Sequence, residues 1–423
     1  MLSKHLNDPQ FIARHRTKAS AFVRDRRLPF RRLCIILIWN LRSALHLDLG
    51  RFFDQADNSE APHPTAFSKA RAFLKASAFV DLNDALIETA RDQAIGDYRW
   101  HGLRLLAMDG STLRMPKGSP EIAAHFGNVD CARGISPPLA RMSYLYELRS
   151  NLIVAATITP YERSELTHAH DLLGERVWEE DCVIYDRGYN DPRIIAWSLA
   201  QDSHFVIRVA VRRYRNAEAF AKSSAQEESF DYHFSDEVIE EFKAYGIPLP
   251  KSRRLRFVRV ELDTGEVEVL LTNLVDSREY PGEEFKALYH ERWTVEEGIK
   301  TTKCKIEMEN WTGKTVHSIY QDFHARVLSQ NISVSLATVS QPALDCLKRN
   351  CRQRYKINVK RAIGLVRDHF VGLVAVTAES WKEIMDRVRR RLLRAASIVR
   401  EERSFERGKP RRIPISQSYK PIT

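Results

Sequence analysis

The hydrophobic period of this chain changes near residue 100 and changes back near residue 285, so the fold must combine helices and strands. Before the first change the apolar residues fall at helical spacing. Phe11, Ile12, Ala19, Phe22 and Val23 predict a helix over 11–27, which Pro29 ends. Residues 30–47 predict a strongly apolar helix and the polar stretch 54–64 (DQADNSEAPHP) a loop. Thr65 is placed to cap a helix over 65–76, with Phe67, Ala70, Phe73 and Leu74 inside and Lys69, Arg71 and Lys75 outside. Such a short basic helix after a loop is read either as a DNA-groove reader or as an ordinary bundle helix. A further helix is expected over 82–95.

From residue 100 short strand-like runs take over: 103–108 (LRLLAM), 141–148 (RMSYLYEL), 151–158 (NLIVAATI), 182–185 (CVIY) and 204–209 (HFVIRV). Arg149 and Ser150 mark a hairpin turn. A helix is expected over 167–179, and Asp191-Pro192 starts another, Asp as cap and Pro at the first position. This order predicts a mixed α/β sheet with an antiparallel hairpin rather than a βαβ series. Residues 212–242 read as polar and irregular, and 256–262 with 266–271 as a hairpin around Asp263-Thr264-Gly265. Together they suggest a β-rich insertion at about 210–280. Helical periodicity returns over 318–338, 358–371 and 381–402, the last with one apolar and one basic face, and the prolines of 404–423 predict a disordered tail. The expected division is a helical DNA-binding domain at 1–99, an α/β domain at 100–340 and a basic helical region at 341–423.

Charge sharpens this division. The net charge of +11 is split into +5 over 1–99, −7 over 100–340 and +13 over 341–423. Basic flanks around an acidic centre suit a protein that grips a polyanion and holds metal ions between. No apolar run reaches the ~18 residues that a membrane span needs. The run at 33–41 (LCIILIWNL) is read as a buried helix, and neither a span nor a signal peptide is expected. The six cysteines form no CxxC pair, which argues against a zinc site or a disulfide framework and suits a reducing cytosol.

Residues 289–303 (YHERWTVEEGIKTTK) carry Tyr289, Arg292, Glu296 and Lys303. At about 100° per residue these four share one broad face of an unbroken helix. A carboxylate there suits a divalent metal, and the cations suit phosphate oxygens. Taken alone, the stretch is also compatible with a solvated helix carrying a Glu296/Lys300 pair. Two further carboxylates stand at expected strand ends: Asp109, before Gly110-Ser111-Thr112, and Asp186, before Arg187-Gly188-Tyr189. Three carboxylates on separate elements can hold two Mg²⁺ ions about 4 Å apart, the arrangement of in-line phosphoryl transfer.

These motifs, in this order, with Thr272-Asn273-Leu274 closing a strand ahead of them, resemble the insertion-sequence-four family of DDE transposases. The resemblance is specific over about 100–310. It implies a ribonuclease-H-like mixed sheet with a β-rich insertion, flanked by helical regions. It implies Asp109, Asp186 and Glu296 as catalytic metal ligands, and Tyr289, Arg292 and Lys303 as holders of transposon-end phosphates. It further implies two Mg²⁺ ions, with Mn²⁺ able to substitute. The implied partners are double-stranded DNA at the transposon ends and target, with a homodimer in the DNA complex and no membrane. The implied setting is a bacterial cytoplasm, near the nucleoid. The activity would be cut-and-paste transposition: hydrolysis at the end, a hairpin intermediate, then strand transfer. The rivals are a metal-dependent nuclease without strand transfer and an inactive DNA-binding regulator; the intact carboxylate set argues against the regulator.

Three neighbouring features are read as structural. His168 and His170 diverge on a helix and have no third ligand nearby, so a metal pair is not expected. Trp293 could stack on a flipped base, but its phase predicts core packing. Glu291 and Glu297 are expected to be solvated and off the Arg292/Lys303 face.

Overall fold

The computed structural model describes residues 1–399, apart from residues 25, 94, 96–97, 128–129, 132–133, 136, 214, 263 and 376–377. The expected tail at 404–423, the end of the 381–402 helix and Asp263 of the hairpin turn lie outside the described residues. The first seven strands are β1 (Arg104–Arg114), β2 (Asp130–Cys131), β3 (Gly134–Ile135), β4 (Leu139–Glu147), β5 (Leu152–Pro160), β6 (Asp181–Tyr185) and β7 (His204–Arg208). The rest are β8 (Glu227–His233), β9 (Ser252–Glu261), β10 (Val267–Thr272), β11 (Tyr355–Ile357) and β12 (Ala396–Ile398). Packing divides the chain into two compact units, one of Met1–Gly96, Leu113–Ala140 and Lys300–Thr423, the other of Asp97–Thr112 and Arg141–Ile299. Segments 1–99 and 341–423 of the expected division therefore contribute to one unit.

The second unit is built on an eight-stranded sheet in the order β5-β4-β1-β6-β7-β10-β9-β8. β1 pairs β6 and β6 pairs β7 in parallel, while β7, β10, β9 and β8 alternate. This is the expected mixed sheet, parallel at its centre and antiparallel where the insertion joins it. Arg104 fixes the β1–β6 register: it faces Asp181 across the ladder and grips both its oxygens at 2.6 and 2.7 Å, both residues buried. β4 and β5 are joined by residues 148–151, too short for anything but an antiparallel return. Asn151 takes the left-handed conformation there (φ 62°), which Asn tolerates better than most residues.

The insertion's strands extend this sheet. Residues 212–242, expected to be irregular, instead fold into helix Arg215–Lys222, strand β8 and helix Asp236–Ala244. β8 is an edge strand with few buried residues, so it needs little apolar sequence, and Phe230 stacks on Phe257 of β9 with ring centroids 4.4 Å apart.

The first unit is helical. Its long helix, Val316–Lys348, starts at a Thr315/Ser318 capping box and runs through Pro342. Leu33, Ile36, Phe52, Phe67, Phe79, Ala325, Leu328 and Phe370 belong to one apolar core. The 33–41 run is buried as expected, but residues 30–47 make two helices, Phe30–Ile38 and Leu45–Asp57. The break has a local cause. Asn40 adopts φ 64°, and buried Asp48 accepts from the Arg42 and Ser43 amides at 2.6 and 2.8 Å. Similarly, the expected 11–27 helix is only Pro9–His15.

The 65–76 helix is corrected in two ways. It spans Pro64–Arg71, and His63 rather than Thr65 caps it, accepting from the Thr65 amide. Arg71, expected outside, is buried at 5% exposure. It donates to Gln321 (2.8 Å), Thr312 (2.7 Å), the Ser318 carbonyl (3.1 Å) and Asp322 (2.9 Å). A guanidinium satisfied on all sides can be buried where an unpaired one cannot. Among the described residues no helix is long and apolar enough to cross a membrane.

Candidate active site

Parallel pairing of β1 with β6 ends at Ala107 opposite Ile184, and the two aspartates follow just beyond. Asp186 stands, as expected, directly after β6, and it begins the short turn Arg187–Tyr189. Asp109 does not end its strand: β1 continues to Arg114. Its Oδ1 accepts from the Gly110 amide at 2.8 Å. Gly110 is closely packed: a Cβ there would lie 3.0 Å from Glu165 Oε1 and 3.2 Å from the Met142 carbonyl, and these neighbours would have to give by a few tenths of an ångström.

Residues 289–303 are not one unbroken helix. Phe285–Glu291 and Trp293–Cys304 meet at Arg292, where the Arg292 amide bonds the Tyr289 carbonyl and the Val295 amide bonds the Arg292 carbonyl. These three-residue spans tighten the turn locally, while Arg292 itself keeps helical dihedrals (φ −51°, ψ −33°). Arg292, buried at 6% exposure, sits 3.8 Å from Asp109 Oδ2 and 3.1 Å from Glu296 Oε1. The Tyr289 hydroxyl lies 3.4 Å from Asp186 Oδ1. The fold thus brings together Asp109, Asp186, Glu296, Tyr289 and Arg292. Lys303 lies in the last turn of the second helix, in the portion assigned to the other compact unit.

Electrostatics follows from burial. Desolvation is the largest influence on Asp109 and pushes its carboxyl up to about 6; the Gly110 amide and Arg292 oppose it, while Glu296 and Glu165 add to it. Burial works against the charge of Arg292, but Tyr289, Asp186, Asp109 and Glu296 outweigh it and hold the guanidinium above its usual range. Burial also raises the Tyr289 phenol, against Arg292 and Arg208. Among the described residues no three His, Cys, Asp or Glu side chains close on one point as a metal cluster. At the centre of this constellation stands a guanidinium.

Two groups escaped the sequence reading. Arg208, at the end of β7, reaches Asp186 at 2.9 Å and also pairs with Glu268. Its signal was a cation closing the otherwise apolar run HFVIR. Glu165, just after its helix-capping Ser164, pairs with Arg141 at 2.9 Å and faces Gly110; nothing in its local sequence set it apart.

Three expectations are settled by contacts. Trp293 is not core: it is 43% exposed, with the Arg292 guanidinium 5.4 Å from its ring centroid, because the buried face runs through Leu288, Tyr289, Arg292, Val295 and Ile299 and Trp293 lies about 100° round from it. Glu291 is not simply solvated but gripped by Arg149 at 2.7 and 3.0 Å, whereas Glu297 is exposed. His168 is a core residue, bonded to Ser143 at 2.8 Å and Thr159 at 2.6 Å.

Comparison with known proteins agrees with this arrangement. Residues 100–332, more than half of the chain, match the family model of the transposase DDE domain. The transposase InsG of insertion sequence element IS4 from Escherichia coli (strain K12) is 26% identical over 336 residues, 77% of this chain and 74% of that protein. The putative transposase InsZ of the same organism is 35% identical over 105 residues, 24% of this chain and 34% of that protein. A piggyBac transposase synaptic complex with hairpin DNA aligns over 92% of this chain and 84% of that one, at 10% identity and a TM-score of 0.41, too low to carry an argument. The chain belongs to the family of transposases with a DDE domain, and its Tyr-Arg-Glu-Lys signature is that of the insertion-sequence-four branch.

Proposed function

We propose that this transposase cuts transposon-end DNA and joins it to target DNA by cut-and-paste transposition, with Asp109, Asp186 and Glu296 as divalent-metal ligands. Tyr289, Arg292 and Lys303 would hold DNA phosphates. The observation that carries this reading is Arg292, which reaches carboxylates from two different elements while its neighbour Tyr289 reaches the third. The donor set fits two Mg²⁺ ions, or Mn²⁺ in their place, because carboxylate oxygens suit hard cations and half-buried Asp109 needs a cationic partner to stay ionised. Bound there, the metal supplies Lewis-acid polarisation of phosphoryl oxygens and activates the attacking water or 3′-hydroxyl.

The chain's own residues supply the rest. Arg292 neutralises Asp109 and Glu296 in the protein alone, and Arg208 does so for Asp186. The buried Nε atoms of Arg292 and Arg208 have no hydrogen-bond partner among the described residues. Exposed Trp293, its ring beside a guanidinium, offers a face on which a base can stack. The working form would be a homodimer on double-stranded DNA, near the nucleoid of a bacterial cell.

The test is cleavage of end DNA by purified variants across a Mg²⁺ and Mn²⁺ titration. Asp109→Ala, Asp186→Ala and Glu296→Gln should each lose cleavage and keep duplex binding within a few fold, because an amide keeps the size of Glu but not the charge. Exposed Glu297→Gln should cut within a few fold of the parent. Equal losses at 296 and 297, or nicking by the Glu296→Gln protein, would sink the assignment.

A further inference from the structure

Residues 348–361 (KRNCRQRYKINVKR) contain seven Lys or Arg and no Asp or Glu. A second basic run follows on the Ala378–Arg394 helix, where Arg387, Arg389, Arg390, Arg391 and Arg394 fill its last two turns. Within that helix the described carboxylates, Glu383 and Asp386, precede these arginines; Asp368 stands beside His369 and Asp345 beside Gln341. Both runs lie in the helical unit, whereas Asp109, Asp186 and Glu296 lie in the other.

The fold ties these runs together. β11 pairs antiparallel with β12, setting Lys356 opposite Ser397 directly after the arginine helix. Ile357, Ala362, Val388 and Leu392 are buried in one small apolar cluster with Leu344. Gln341 clamps β11 by accepting from the Ile357 amide at 3.0 Å and donating to the Tyr355 carbonyl at 2.9 Å. On the helix, Val388 and Leu392 take the inner face, and that phase turns Arg389, Arg390 and Arg394 outward, all exposed. Arg352, Lys356, Lys360 and Arg361 are exposed on the other run.

Six of these cations are not neutralised locally. Among the described residues none of Arg352, Lys356, Lys360, Arg361, Arg389 and Arg390 forms an ion pair with a carboxylate. Arg391 donates to the Nε2 of His369 at 3.0 Å, a contact that suits a neutral imidazole. Burial first, then Arg391 and Arg387, hold that imidazole below its usual range against the opposing Asp368. Cation repulsion within a folded patch lowers stability, and a bound polyanion relieves it.

We propose that residues 348–361 and the end of the Ala378–Arg394 helix form a second duplex-DNA surface, which grips the phosphate backbone without reading sequence. The choice of DNA among polyanions rests on the transposase reading; the patch itself does not. Long, exposed cations on a rigid base suit phosphate contacts, which position a duplex and carry no sequence information. The duplex is either target DNA or the flank of the transposon end, and the two share this backbone chemistry.

The test uses the full chain with two triple variants, Arg389→Ala/Arg390→Ala/Arg394→Ala and Arg352→Ala/Lys356→Ala/Arg361→Ala. All six residues are exposed, so an unchanged thermal midpoint is the control for folding. Binding to a random-sequence duplex is followed by anisotropy over a salt series. Each lost phosphate contact should make the plot of log K against log salt shallower by about 0.9, so each triple by about 2 to 3. An unchanged slope in both folded variants overturns the proposal. Strand transfer into a target plasmid falling while cleavage of pre-bound ends persists identifies the duplex as target; cleavage and transfer falling together identify it as the end flank. An Asp109→Ala protein that loses cleavage yet keeps the parental salt slope separates this surface from the catalytic assignment.

Discussion

At the scale of single residues, the most telling buried group is one the chemistry does not use. His168 is held between Ser143 and Thr159, and burial, the largest influence, lowers its imidazole to about 4 from 6.5. The unfolded chain therefore binds this proton below about 6.5, the folded chain only below about 4. Stability from this group is complete above the unfolded value, falls as pH drops between the two, and is lost below the folded one. The full span amounts to about 3 kcal/mol, and about 2 of it should be gone near pH 5. Urea midpoints of the parent and of His168→Asn, compared at neutral and mildly acid pH, check this. A gap between them that does not narrow on acidification would count against it. The same scale shows what sequence could and could not give. Asp109 and Asp186 were legible because Gly110 and the Arg187-Gly188-Tyr189 turn follow them, and such residues mark places where a backbone must turn or pass close. Arg71 was not, since its burial depends on Asp322 and Gln321, about 250 residues away in the chain. Trp293 was misplaced because the buried face of this segment is the one that bears Arg292, which only the packing of distant strands decides, and the tryptophan lies about 100° round from it.

At the scale of elements, the helix bearing Glu296 is seated by a close approach. A Cβ on Gly298 would lie 2.5 Å from Cε2 of Tyr146, which is buried at 3% exposure on β4. Gly298→Ala gains up to about 1 kcal/mol in helix propensity and loses about 1–3 kcal/mol to overpacking, so it should destabilise. Thermal unfolding should show a lower midpoint, and Tyr146→Leu in the same chain should recover part of it. A midpoint that rises on the single change would refute the packing argument. Elements with a strong period, such as β6 and the core of the Val316–Lys348 helix, were found from sequence because burial on their inner faces leaves a clear apolar pattern. Residues 212–242 were not, because an edge strand and short helices bury few side chains and leave little pattern to read.

At the scale of the whole molecule, the helical unit is assembled from both ends of the chain. Phe67, Phe79 and Leu33 share a core with Ala325, Leu328, Val366 and Phe370. A fragment of residues 1–99 would keep Arg71 and lose Asp322, Thr312 and Gln321, leaving a buried cation unpaired, which costs several kcal/mol. Such a fragment should show no cooperative melting by circular dichroism and no preference for end sequence; a sharp two-state melt would contradict this. The helical character of both flanks was legible from their periodicity. Their union was not, since contacts between distant segments leave no local trace in the sequence.

That assembly bears on inheritance as well as on folding. The helical unit is gathered from three stretches of chain and the sheet unit from two. A single crossover between two related genes therefore gives a hybrid whose units are themselves mosaics, with facing core residues that were never selected together. Exchange of one intact unit requires several exchanges at once, so lineages of this fold should diversify by point substitution far more readily than by shuffling.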